Sequence, residues 1–165
     1  MLSDILAGNF IWIIALLIAI TIHEFSHAWA AERLGDPTPR LMGRLTLNPL
    51  AHLDPLGTLF LLIARFGWGK PVQFDPFNLK DPRRDSALIS LAGPTSNFLI
   101  ALILALILRF VPDLALSVFI FTITAAGLFN LLVPIIFMNV ALGVFNLLPI
   151  HPLDGFKVVE GILPE

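Results

Sequence analysis

His23-Glu24-Phe25-Ser26-His27 closes an apolar run, and that placement decides how the chain is read. The thirteen residues before it, 10–22, carry one polar side chain, Thr21, and Ala28-Trp29-Ala30-Ala31 follow it. The run is a candidate membrane helix. The motif is H-E-x-x-H. On a helix, positions 23 and 27 lie one turn apart on one face, so two imidazoles there can hold one zinc ion while Glu24 takes a proton from water. Ionisable groups at membrane depth are costly, so three within five residues call for a reason. A core histidine bonded to a backbone carbonyl is the plain alternative. Composition weakens it, because the chain has four His and two fall in this motif.

Of the 165 residues, 57% are hydrophobic and 13% are charged, with a mean hydropathy of +0.89. These values exclude an ordinary soluble domain and indicate a polytopic membrane protein embedded in a lipid bilayer. The net charge of −2 comes with no basic stripe, so no nucleic-acid partner is expected. With no Cys there are no disulfides and no thiolate ligands, so a metal must be held by His and carboxylates. The N-terminus lacks the positive region and cleavage site of a signal peptide, and the first apolar run is expected to be retained.

Three uncharged segments can span a bilayer: residues 5–22, continuing into the motif, 86–108, and 114–150. The last has 37 residues and would be about 55 Å long as one helix. It is either a hairpin broken near Pro134 or Gly143, or one long crossing. Arg40, Arg44, Arg65, Lys70, Lys80, Arg83 and Arg84 lie between the first two segments, and only Arg109 lies in the next connection. The positive-inside rule makes the long loop cytoplasmic and the N-terminus external. His23 and His27 are then near the cytoplasmic end of the first span. A single crossing by the third segment brings its end to the same side.

That end reads Asn146-Leu147-Leu148-Pro149-Ile150-His151-Pro152-Leu153-Asp154-Gly155. Two prolines stop a helix there, and irregular backbone at membrane depth is tolerated where it lines a polar cavity. Asp154 is a candidate third ligand beside His23 and His27, against the alternative of a turn carboxylate at the membrane edge. Nearer candidates fail: six residues beyond His27 stands Arg33, not His, and Glu32 points away from the His face.

The paired motifs, H-E-F-S-H and N-x-x-P-x-x-P-L-D-G, resemble the site-2 protease family of intramembrane zinc metalloproteases. Residues 31–37 (Ala-Glu-Arg-Leu-Gly-Asp-Pro), 43–55 (Gly-Arg-Leu-Thr-Leu-Asn-Pro-Leu-Ala-His-Leu-Asp-Pro) and 92–97 (Ala-Gly-Pro-Thr-Ser-Asn) are similar to its small prokaryotic members without PDZ or CBS domains. The resemblance implies one zinc ion per chain on His23, His27 and Asp154. It implies Glu24 as general base and Asn146 as a catalytic residue orienting substrate or stabilising the oxyanion. It further implies a prokaryotic cell membrane, regulated intramembrane proteolysis, and single-span membrane proteins as substrates, such as anti-sigma factors or signal-peptide remnants. Two departures stand out. His151 occupies a position where relatives often have Pro, and offers a competing nitrogen. Relatives usually continue into another hydrophobic segment, so a longer native chain is expected.

The expected fold is an all-α polytopic membrane protein. Three transmembrane helices, about 5–31, 86–108 and 114–148, form a single metalloprotease domain. The 35–85 loop between the first two is partly re-entrant or contains short strands. Arg44-Leu45-Thr46-Leu47 has strand alternation, residues 56–66 are apolar but short for a span, and an extended edge here could add a substrate strand. His52 and Asp54 are either loop-bracing groups or a second metal site. Gly93 and Asn97, one turn apart, serve either close helix packing or substrate binding. The function expected is hydrolysis of peptide bonds within transmembrane segments. The alternative is a zinc-binding transporter or an inactive scaffold, against which stand the lack of an internal repeat and the presence of Glu24.

Overall fold

The computed structural model describes residues 2–64, 67–110 and 118–163. It is helical, with no strand among the described residues: α1 (Leu2–Leu34), α2 (Thr38–Leu41), α3 (Pro55–Ala64), α4 (Pro82–Phe110), α5 (Val118–Asn146) and α6 (Asp154–Ile162). Short 3-10 turns occupy Pro49–His52 and Pro76–Asn78. Three helices are long and apolar enough to cross a bilayer, over Phe10–Leu34, Pro82–Phe110 and Gly127–Asn146. Only 22% of the most apolar window in α4 and 17% of that in α5 is buried in protein, so most of their Leu, Ile and Phe surface faces lipid.

Helices α1, α4 and α5 pack against one another, and α6 packs on α4. Ala15, Ala19, Ala28 and Ala31 on α1 are wholly buried, and their small size lets the neighbouring backbones come close. Where lipid supplies no hydrophobic drive between helices, amides act as ties. Asn97 of α4 donates to the Ala19 carbonyl of α1 (3.1 Å) and to Asn139 Oδ1 of α5 (2.8 Å), while Asn139 donates to Ile135 (2.8 Å). All three spans thus meet at one buried amide pair.

The third segment is not a hairpin in its described part: α5 runs unbroken through Pro134, and residues 114–117 lie outside the described residues. Helix α4 starts at Asp81-Pro82, with Asp81 Oδ1 accepting from Arg84 N and Asp85 Oδ2 accepting from Asp81 N. The loop differs from expectation at Arg44-Leu45-Thr46-Leu47, which is irregular. Thr46 Oγ1 and Asn48 Oδ1 accept from Asn48 N and Leu50 N, closing local turns that compete with a ladder. Elsewhere in the loop one isolated antiparallel bridge joins Leu53 with Gly69. Helix α3 has ten residues, about 15 Å, too short to cross.

Candidate metal centre

The i, i+4 spacing on α1 stacks His23 and His27 with ring centroids 4.6 Å apart and planes nearly perpendicular. Asp154 comes from the first position of α6, after the proline-broken turn that contains a cis His151–Pro152 bond. A carboxylate is favoured at a helix N-terminus. Gly155 is needed next to it, because a Cβ there would lie 2.2 Å from the Leu147 carbonyl oxygen at the end of α5. The result is a triangle. His23 Nε2 lies 3.0 Å from His27 Nε2 and 3.0 Å from Asp154 Oδ2, and His27 Nε2 lies 3.2 Å from the same oxygen.

The hydrogen bonds fix the tautomers. His23 Nδ1 donates to Asn97 Oδ1 (2.6 Å), and His27 Nδ1 donates to the Ile89 carbonyl (2.7 Å). Asn97 presents its oxygen there because its nitrogen already serves Ala19 and Asn139. In the neutral ring each Nε2 is therefore a bare lone pair. Two lone pairs and a carboxylate oxygen converge with no donor among them, an arrangement that a cation satisfies. Tetrahedral zinc with bonds of about 2.1 Å separates its ligand atoms by about 3.4 Å, within a few tenths of the observed edges. The donor set therefore fits zinc. Among the described residues this is the only group of three such side chains close enough to hold a metal.

Glu24 lies beside this triangle, and its Oε2 accepts from Val72 N at 2.8 Å. A cavity of about 130 Å³ is lined by His23, Glu24, His27 and Asp154 together with Asn146, Ser90, Pro71 and Val72. Asn146 is half-buried at its wall and donates to Leu142. Gly93 and Asn97 lie behind the imidazoles instead of in the cavity. Asn97 is fully buried with its amide engaged, so it has no free atom to offer a substrate. A Cβ at Gly93 would lie 2.5 Å from His27 Nε2 and 2.7 Å from His23 Cε1.

The remaining candidates fall elsewhere. His151 is exposed and stacks edge-on against Phe156. His52 is buried and donates from Nε2 to the Thr46 carbonyl (2.7 Å), and Asp54 accepts from Gly57 N. Glu32 pairs with Arg40 at 2.9 Å. Sequence reasoning missed the Ile89 carbonyl, the Val72 amide and Asn139. Of these only Asn139, a polar residue inside an apolar span, carried a signal.

The family model for peptidase family M50 matches residues 11–116 and 113–165. YwhC of Bacillus subtilis is 40% identical over 92% of this chain and 68% of its own length. Rip2 of Mycolicibacterium smegmatis is 38% identical over 93% of this chain and 58% of its own length. Both carry provisional names as zinc metalloproteases. MJ0392 of Methanocaldococcus jannaschii, named a zinc metalloprotease, is 24% identical over 92% of this chain and 34% of its own length. No solved structure matches. With the family model covering nearly all of its length, the chain belongs to peptidase family M50, the site-2 proteases, and is an integral membrane protein of that zinc metalloprotease family.

Proposed function

We propose that this chain hydrolyses peptide bonds in the transmembrane segments of single-span membrane proteins, as the core of a regulated intramembrane protease. The observation that supports this most is the convergence of two proton-free imidazole nitrogens and the Asp154 carboxylate beside Glu24, in a cavity within the helix bundle. His23, His27 and Asp154 would hold one zinc ion per chain. When bound, zinc supplies Lewis acidity, polarising a carbonyl and making water a better nucleophile. Asn97 and the Ile89 carbonyl keep both rings in the ligating tautomer. Glu24 accepts the proton of the attacking water and returns it to the leaving amine. Its bond from Val72 leaves the second carboxylate oxygen for that task. Asn146, which also lines the cavity, is suited to donate to the substrate carbonyl. A substrate helix must unwind locally first, since its carbonyls are otherwise bonded within the helix.

Zinc content and cleavage of a transmembrane peptide test this together. Glu24→Gln keeps about one zinc per chain and loses at least 100-fold in hydrolysis. Asp154→Ala loses both, and His151→Ala keeps both. Near wild-type cleavage by Glu24→Gln would sink the mechanism.

A further inference from the structure

The stretch at 43–55 that marks the sequence so clearly contributes no group to the cavity lining. What it builds is a socket for one arginine. The Arg44 side chain is 4% exposed. Its Nη1 donates to the Ala51 carbonyl (2.6 Å), its Nη2 donates to the Lys70 carbonyl, and its Nε is buried without a partner. Among the described residues no carboxylate pairs with this guanidinium, and a buried charge held only by carbonyls is costly. Burial pushes the Arg44 pKa down, and the charge of Glu24 opposes that shift.

The Lys70 carbonyl belongs to a strap, residues 69–75, that crosses α1 at Glu24. Lys70 N donates to the His52 carbonyl (2.8 Å), and Gly69 bridges to Leu53. A Cβ on Gly69 would lie 2.7 Å from Ile20 Cγ2 and 4.0 Å from Glu24 Oε1, so this residue lets the strap lie on the helix. Two residues beyond Lys70, Val72 N reaches Glu24. At the far end Asp75 N donates to Asp36 (2.8 Å).

We infer that Arg44 is a positioning residue for the reaction: through the Ala51 and Lys70 carbonyls it sets the strap whose Val72 N–H fixes the Glu24 carboxylate. Lysine cannot replace it, because a single ammonium does not present two donors in a rigid fork. The inference rests on Glu24 being the general base. The test therefore reads both catalysis and the Val72 amide itself.

Full-length protein in lipid carries Arg44→Lys, Val72→Pro, the double variant and Glu24→Gln. Arg44→Lys is expected to keep one zinc per chain and KM within about twofold, and to lose about 10–100-fold in kcat. Val72→Pro removes the same N–H and loses a similar factor. The double variant is no worse than the poorer single, because both act through one hydrogen bond. In ¹⁵N-labelled protein the Val72 amide exchanges faster in Arg44→Lys, as it does in Glu24→Gln. Wild-type kcat in Arg44→Lys, multiplying losses in the double variant, or an unchanged Val72 exchange rate each overturn the role. Should the wild-type protein cleave nothing, the protease reading fails, and the exchange rates alone decide whether Arg44 sets the strap.

Discussion

Gly93 shows how little room surrounds the two imidazoles. The α4 backbone rests on them, and a methyl group there would lie 2.5–2.7 Å from ring atoms of both. Neither ring can retreat, since each Nδ1 is held at 2.6–2.7 Å by a carbonyl oxygen on α4. Gly93→Ala is expected to lower zinc affinity about 10–100-fold, the range seen when groups that orient metal ligands are lost. A competition titration against a chelator measures it, with membrane insertion as the control. Unchanged affinity would mean that α4 can shift at no cost. The three side chains that the structure brings together were legible in the sequence because their signals are local: two His one turn apart, and a carboxylate on a proline-broken turn. Their supports were not. Asn97 and Ile89 lie 74 and 62 residues away in sequence from the rings they bond, and only packing brings them there. Gly93 and Asn97 both lie at the back of the rings.

Among the elements, the spans were the easy part, because about 20 apolar residues have one economical solution in lipid. The loop was harder. Its order comes from side chains bonding backbone, which periodicity does not report. Asp36 is the clearest case. It is fully buried just after α1, and it accepts from Thr38 N, Thr38 Oγ1, Asn78 Nδ2 and Asp75 N at 2.6–3.0 Å. Burial pushes its carboxyl up, yet these hydrogen bonds outweigh burial and hold it below the ordinary Asp range. A carboxylate whose folded pKa is depressed stabilises the fold above its unfolded pKa, about 4, and loses that contribution as pH falls through the lower folded value. Acidification from pH 6 to pH 3 should therefore lower the thermal midpoint of the wild type more than that of Asp36→Asn. At pH 7 the variant should be less stable by about 1–3 kcal/mol. Parallel pH dependences in the two proteins would show that the Asp36 clamp carries no charge-dependent stability.

For the whole molecule, basic side chains are distributed unevenly between the two ends of the helix bundle. Arg40, Arg44, Lys70, Lys80, Arg83 and Arg84 all belong to the loop or to the first turn of α4, on the side where Asp154 joins His23 and His27. Arg109 is the basic residue in the last turn at the opposite end of α4. The asymmetry favours a cytoplasmic loop, and with it a cytoplasmic route for the water that hydrolysis consumes. The unbroken α5 carries the chain back across once, so the Asn146–Asp154 turn and the loop share a side without a further crossing. The chain has no Cys, so single cysteines report cleanly. Cysteines replacing Gln73 and Lys80, both exposed, should react with an impermeant maleimide only after the cytoplasmic face is opened. One replacing Asp113, which lies outside the described residues, should react in intact cells. Labelling of Gln73→Cys from outside would invert the topology, and with it the side from which substrate and water reach Glu24.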